Sequence, residues 1–557
     1  MRGVELVARD LRKTVKGGRC VLQSVSLTMR PGELVAIAGG SGAGKTTLLE
    51  ALAGVRPADG GNVWFDGVDL YRNLDAFRCV LGYVPQDDII HAELPLGRTL
   101  RYAASLRLPR SVSREAIDAA VGHALAALDL TEREHVRVGA LSGGQRKRAS
   151  IAVELLTDPH VFFLDEPTSG LDPATGAELV RVLRGLADAG STVVFTTHAV
   201  QDLGHCDRVV FLARDGHLAF YGSAEEARRY FDVVDVEAIY ERLANPTAAG
   251  DWAQRFAEHR RDGGAAEPAS EPSPPASRPQ AGFVREWSVL TRRTLETIAR
   301  NRLTLGILLG SPAMVVAMFA ILFRPGAFDF ADPSPGTIVM ILFWMAFAAF
   351  FFGLTYGLLQ ICTKRAIVRR EQLVGQRLSA YLLSKITILL PFLLVVDVLM
   401  LAVLRALDRL PPASTTTYLT IGITLALDAS AALTLGLLTS AAVGNPSQAT
   451  LALPMLCFPA VLFSGAILPV HVMAGVGAAI STVMPDRWAF EAIGHDLGVR
   501  NLLLHGGSPL GPPLVRSYGN AGAHATSTYW LYLAAFSVVF FVGAWLALLR
   551  GCGRDAR

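Results

Sequence analysis

The stretch "GGSGAGKTT" at residues 39–47 sets Gly39, Gly44, Lys45 and Thr46 at the G-x-x-x-x-G-K-[ST] spacing. Small glycines let backbone N–H groups close around an anion, and a helix N-terminus adds a favourable dipole. The loop follows an apolar strand pattern, "LVAIA", and opens a helical one, "TTLLEALAG". In that setting Lys45 is placed to reach β- and γ-phosphates, and Thr46 to bind Mg²⁺. A second run, "VFFLDE" at 161–166, reads as a buried strand ending in two carboxylates. Asp165 would hold Mg²⁺ through its shell and Glu166 would polarise an attacking water, since phosphoryl transfer needs positioning more than covalent chemistry. A further glycine-rich stretch, "LSGGQRKRAS" at 141–150, raises a question, because the first loop is already a complete phosphate cradle.

These residues need rigid elements beneath them. Residues 1–242 alternate β-rich runs ("LVAIAG", "VFFLDE", "TVVFTTH") with helical patterns, which predicts an α/β domain on a largely parallel sheet. Residues 243–282, rich in Ala, Pro, Ser and Gly, read as a disordered linker. Residues 283–302 have helical spacing, with Phe283, Trp287, Leu290 and Leu295 among basic residues, and read as an interfacial connecting helix. Residues 303–557 form an all-α domain with six spans, at about 303–323, 337–361, 386–406, 417–442, 448–469 and 528–550, each near the length that crosses roughly 30 Å of hydrocarbon. Lys364, Arg365, Arg369, Arg370, Arg377 and Lys385 follow the second span. With Arg292, Arg293, Arg300 and Arg302 before the first span and Arg550 and Arg554 after the last, they predict cytoplasmic N- and C-termini in a plasma or inner membrane.

Composition excludes other classes. A net charge of +3 without blocks of like charge argues against a nucleic-acid partner. The mean hydropathy of +0.36 is concentrated in the second half. No signal peptide is read at the N-terminus. Cys20, Cys79, Cys206, Cys362, Cys457 and Cys552 are scattered, as suits thiols or small buried groups rather than disulfides or zinc.

In order and spacing, "LSGGQ" at 141–145, "VFFLDE", "SGLD" at 169–172 and "TTH" at 196–198 resemble the nucleotide-binding domain of ABC transporters, and Gln86 in "GYVPQDD" matches that family's Q-loop glutamine. The resemblance implies ATP and Mg²⁺ as cofactors. Gly39, Gly40, Ser41, Gly42, Ala43, Gly44, Lys45, Thr46 and Thr47 would hold the nucleotide. Ser142, Gly143, Gly144, Gln145 and Asp172 would complete a site whose first loop comes from a second copy of the chain. That answers the question of the second glycine stretch. Glu166, His198 and Gln86 take the catalytic roles, with His198 at the γ-phosphate, and Thr46, Gln86 and Asp165 take the metal. The family's adenine-stacking aromatic is missing, with Val15 near its place, so preference for ATP over GTP rests on family habit.

An ATPase domain first and six spans second resembles the G subfamily of half-transporters (the white/pigment type) and bacterial relatives with an ABC-2 type membrane domain. Residues 470–527 lack the cysteines usual in eukaryotic members. The resemblance implies a homodimeric ATP-driven exporter of a lipid or other amphipathic compound. An importer's energy unit and an ATPase that regulates another membrane protein or envelope assembly are the competing classes. The basic segment 364–385 is expected to dock near Gln86 through Arg369, Arg370 and Glu371, facing Asp87 and Asp88, or else to serve only as a topology signal. Asp397 and Asp428 fall inside the third and fourth spans, where a charge is costly. They would line a path for a headgroup or cation, or serve structurally.

Overall fold

The computed structural model describes residues 3–15, 17–78, 80–109, 111–244, 249–260, 282–519 and 521–553. Cys79, Arg554, the Cys552 side chain and most of the predicted linker lie outside these. The chain divides into two compact units, one of residues 1–289 with 369–376, the other of residues 290–368 with 377–554.

The first unit is built on ten strands: β1 (Leu6–Thr14), β2 (Cys20–Met29), β3 (Leu34–Gly39), β4 (Gly60–Phe65), β5 (Val68–Asp69), β6 (Leu81–Val84), β7 (Val161–Leu164), β8 (Thr192–Thr197), β9 (Arg208–Ala213) and β10 (His217–Gly222). They form one sheet in the order β5-β4-β1-β2-β10-β9-β3-β8-β7-β6. From β9 to β6 all neighbours are parallel, whereas β1 pairs antiparallel with β2 and β4. The parallel part carries the predicted pattern, and the antiparallel flank qualifies it. The physical reason is burial. β3, β7 and β8 are buried at every residue, as strands covered on both faces must be. β1 and β2 bury mainly one side and can be joined by a short turn.

The predicted linker is shorter than 243–282. Ala249–Arg260 is a helix that packs aromatic side chains onto the sheet domain: Trp252 lies 4.9 Å from Phe231 and Phe256 lies 5.6 Å from Phe220, between ring centroids. Such pairs contribute beyond their buried area, so Trp252 and Phe256 outweigh the Ala/Gly-rich composition around them.

Residues 369–376 fold with this first unit although in sequence they follow the second span. The anchor is Arg370. Its Nη2 donates to Glu154 Oε1 at 2.6 Å and to the Ser150 carbonyl at 2.9 Å, and its Nη1 donates to the Ile89 carbonyl at 2.8 Å. Arg107 grips the same carboxylate from the other side, at 2.7 and 2.9 Å. All three side chains are nearly excluded from solvent. The acidic partner is therefore Glu154 and not Asp87 or Asp88; Asp88 instead lies 3.6 Å from Lys147, because Lys147 leaves the same helix on the side facing the Gln86 loop. Burial alone would raise the Glu154 carboxyl, but Arg107 and Arg370 outweigh it and bring it from the ordinary 4.5 to about 2.

Among the described residues, the second unit contains six helices long and apolar enough to cross a membrane: Arg302–Leu322, Pro335–Leu358, Leu378–Ala406, Thr415–Ala442, Pro446–Phe463 and Thr526–Gly553. The second and fourth are the most buried. They cross where both backbones lack side chains. A Cβ at Gly357 would meet the Leu433 carbonyl at 2.5 Å, and one at Gly436 would meet the Leu354 carbonyl at 2.5 Å, the small-residue contact that lets membrane helices approach. In the Phe283–Arg300 helix, Leu290 is buried while Phe283 and Leu295 are exposed, so the four residues singled out there do not share one face. Between the last two spans, Pro485–Asp496 buries Trp488, Ala489, Phe490 and Ile493 in the unit's core. Asp397 and Asp428 are both buried.

Two outcomes follow from this packing. Removing one member of a buried ion group costs about 3–5 kcal/mol, so Glu154→Gln should lower the thermal midpoint at neutral pH. A depressed carboxyl contributes stability that is present above 4.5 and lost as pH falls toward about 2. The variant's midpoint should accordingly fall less steeply across that window than that of the wild type. Gly357→Leu should overpack the helix crossing and destabilise the second unit by about 1–3 kcal/mol, read as a lower melting midpoint in detergent, while a surface Gly→Leu change at Gly306 leaves it unmoved.

Candidate active site

β3 ends at Gly39 and the chain turns through residues 40–44 into the Lys45–Leu52 helix. The turn requires glycine at position 44. Gly44 has φ 93°, and a Cβ there would meet the Val21 carbonyl at 2.5 Å. No side chain caps this helix, so the N–H groups of its first turn keep their capacity for an anion. Lys45 bends back over the loop, donating to the carbonyls of Gly39 at 3.1 Å and Gly40 at 3.2 Å. Burial lowers the Lys45 ammonium and the charges of Glu166 and Asp165 partly oppose that. A polyphosphate fits this cradle: open N–H donors, glycine clearance and a buried cation face one point.

The carboxylates arrive from the end of β7, which is separated from β3 by β8 alone. Asp165 Oδ1 accepts from Thr46 Oγ1 at 3.1 Å and from Thr196 Oγ1 at 2.7 Å. Burial raises the Asp165 carboxyl against these two hydroxyls. Thr46 and Asp165 thus bring oxygen ligands of the kind Mg²⁺ takes to one place. The Gln86 amide nitrogen is turned toward Glu166.

Glu166 is held from three directions. Its Oε2 accepts from Gln86 Nε2 at 3.0 Å, its Oε1 lies 2.6 Å from His198 Nε2, and its backbone N–H donates to Thr196 Oγ1 at 2.7 Å. Its φ of 44° lies in the left-handed region, where a side chain of this type costs about 1–3 kcal/mol and persists only under constraint. His198 Nδ1 closes the circle, 3.3 Å from Lys45 Nζ. The structure therefore brings together Gln86, Lys45, Thr46, Asp165, Glu166 and His198.

Ser142, Gly143, Gly144 and Gln145 behave differently. Ser142 and Gln145 cap their own helix reciprocally: Ser142 Oγ accepts from the Gln145 N–H at 3.3 Å and Gln145 Oε1 from the Ser142 N–H at 3.1 Å. Asp172 caps the next helix through the Thr175 N–H at 3.0 Å. Sequence reading missed two supports. Thr196, inside the "TTH" run, bridges Asp165 and Glu166. Lys147, in the basic run after "LSGGQ", donates to the Gln86 carbonyl and ties that loop to the capped helix. Val15, near the expected adenine position, is exposed.

Comparison with known proteins agrees with both halves. Residues 22–169 match the ABC transporter family and residues 285–495 the ABC-2 type transporter family. The chain is 32% identical over 98% of its length to the ABC transporter ATP-binding/permease protein Rv1747 of Mycobacterium tuberculosis, of which it spans 63%. Over 39% of its length it is 41% identical to ABC transporter G family member 26 of Arabidopsis thaliana, covering 32% of that protein. Over 40% of its length it is 36% identical to the broad substrate specificity ATP-binding cassette transporter ABCG2 of Bos taurus, covering 34% of it. The chain thus spans less than two thirds of each of these relatives. It joins an ABC transporter domain, and hence a nucleotide-binding one, to an ABC-2 type membrane domain, and it is homologous to the G-family half-transporters.

Proposed function

We propose that this chain hydrolyses ATP and uses the cycle, as a homodimer, to export a lipid or other amphipathic compound across a cell membrane. The observation that carries the reading is Glu166. Its carboxylate is pinned by Gln86, His198 and Thr196 beside a glycine cradle that fits a polyphosphate, in a chain that also holds six candidate spans. Lys45 and the loop N–H groups bind and orient the phosphates. Thr46, Gln86 and Asp165 would hold Mg²⁺, which neutralises developing phosphate charge when bound. Glu166 accepts a proton from water at its carboxylate, and His198 donates a hydrogen bond at the γ-phosphate.

Dimerisation is supported by the "LSGGQ" helix, whose N-terminus carries glycines and no acidic residue in its first turn and so suits the phosphates of another copy. The cytoplasmic placement of the ATPase unit rests on the Lys and Arg distribution. An amphipathic substrate is supported by a 480 Å³ cavity in the membrane unit, walled by apolar side chains such as Leu342 and Phe490 and edged by Glu491, His495 and Arg500, in the size range of ligand sites.

Glu166→Gln should keep nucleotide binding and lose about 10²–10⁴-fold in hydrolysis, trapping a nucleotide-bound dimer that size-exclusion chromatography with light scattering can detect. Steady-state ATPase activity near that of the wild type would remove Glu166 from the reaction. For the shared site, a linked dimer of one Lys45→Ala copy and one Ser142→Arg copy has one site with both defects and one with neither. It should retain hydrolysis while either homodimer is nearly inactive. Equal inactivity of all three would count against motifs acting across two copies.

A further inference from the structure

Three buried carboxyl groups in the membrane unit have no ion-pair partner among the described residues. Asp397 lies on the Leu378–Ala406 helix, Asp428 on Thr415–Ala442, and Asp486 in the first turn of Pro485–Asp496. They are 3%, 0% and 0% exposed. Both oxygens of Asp428, both of Asp486 and Oδ2 of Asp397 are buried without a hydrogen-bond partner. Asp428 lies within Coulombic reach of both Asp486 and Asp397. Backbone N–H groups of residues 486 and 487 face the Asp486 carboxyl, outside hydrogen-bond geometry.

Isolated carboxylates cannot stay ionised in such a place; they are paired, bound to a cation or neutralised. The neighbouring groups do not pair them. Arg487, next to Asp486, donates to Glu491 at 2.9 Å and lies over the Trp488 ring at 4.3 Å. Lys385 is twelve residues from Asp397 on the same helix, about 18 Å along its axis, with its ammonium 3.4 Å from Thr294 Oγ1 and 5.2 Å from the Tyr381 ring. Arg405, later on that helix, is exposed beside Asp408. The titratable groups on the other packed helices are Tyr356 on Pro335–Leu358, Tyr418 on Asp428's own helix, Cys457 on Pro446–Phe463, and Tyr529 and Tyr532 on Thr526–Gly553. The cations there, Arg302 at the start of Arg302–Leu322 and Arg550 near the end of Thr526–Gly553, are exposed at helix ends, and His495 on Asp486's own helix is exposed with its Nδ1 2.8 Å from the Gly522 carbonyl. Among the described residues no three acidic, His or Cys side chains are placed to share a metal ion.

We infer that Asp428, with Asp397 and Asp486 beside it, is a proton-binding site inside the membrane unit, filled with protons in this conformation. Each carboxylate takes one proton, on one of its two oxygens, from the aqueous phase and returns it there, with no other reactant. Asp486, outside the spanning helices, supports this: burial pushes its carboxyl up to about 8. Any rearrangement that opened these three helices to water would release the protons. The site stands apart from the nucleotide chemistry and from the identity of any substrate.

The test uses the full chain in lipid nanodiscs. Infrared spectra are recorded at about pH 6, where an ordinary aspartate is already ionised. The wild type should show protonated-carboxyl C=O bands that shift in D₂O, and Asp428→Asn should lose one of them. Asp397→Asn and Asp486→Asn should each lose another, and they carry the comparison if Asp428→Asn does not fold. Groups protonated only in the folded state make stability fall as pH rises. The wild-type midpoint should therefore drop on going to alkaline pH, by about one proton's linkage more than that of Asp428→Asn. Absence of the bands from the wild type, or identical bands in the wild type and every folded Asn variant, overturns the inference.

Discussion

Glu154 is the point on which the arrangement of the ATPase unit turns. Its carboxylate lies nearly out of water between two guanidinium groups, Arg107 from within the domain and Arg370 from the segment that follows the second span in sequence. A single buried carboxylate facing two arginines satisfies neither completely, so each guanidinium completes its donors elsewhere. Arg370 uses the Ser150 and Ile89 carbonyls, and Arg107 uses the Val153 carbonyl at 3.0 Å. Withdrawing Arg370 would leave a charge and several carbonyls desolvated without partners. The segment Arg369–Gln376 is thus held by the cost of its absence more than by the strength of one ion pair.

That constraint lies close in sequence to the chemistry. Ile89 is three residues after Gln86, whose side chain holds Glu166 and whose backbone carbonyl is held by Lys147. Ser150, Glu154 and Lys147 stand on one helix, the one that begins with the capped "LSGGQ" residues. One helix therefore carries the serine–glycine cap at its start, the anchor of the glutamine loop on its second turn and the receptor for Arg370 near its end. In the proposed cycle, nucleotide at Gln86 and the position of Arg370 would be felt through the same rigid element, a device of the kind that couples two sites physically.

The convergence of the candidate site residues was legible from sequence because they lie in short motifs whose spacing is fixed by local geometry. The turn at Gly44, the paired acids at the end of β7 and the histidine after β8 all sit at strand ends. The sequence-based choice of Arg370 as a contact was sound, but its partner was misplaced to Asp87 and Asp88. Charge proximity along the chain points to those acids, while Glu154 looks like one more polar residue in a helix until the fold buries it. Thr196 was visible only as part of a motif, because a hydroxyl's bridging role depends on what two strands bring beside it. Trp252 and Phe256 were hidden by the Ala- and Gly-rich composition around them. Asp486 escaped notice because it falls outside every apolar run, and its burial depends on a short helix folding back into the bundle.

Glu154 and Arg370 act as one energetic unit tying residues 369–376 to the ATPase domain. The most direct measurement is a double-mutant cycle in the full chain, comparing thermal unfolding of the wild type, Glu154→Gln, Arg370→Ala and the double variant. Residues in contact within one ion network show coupling energies of about 0.5–3 kcal/mol. The double variant should therefore be less destabilised than the sum of the singles, by an amount in that range. Strict additivity would mean that the two side chains contribute independently and are not one energetic unit.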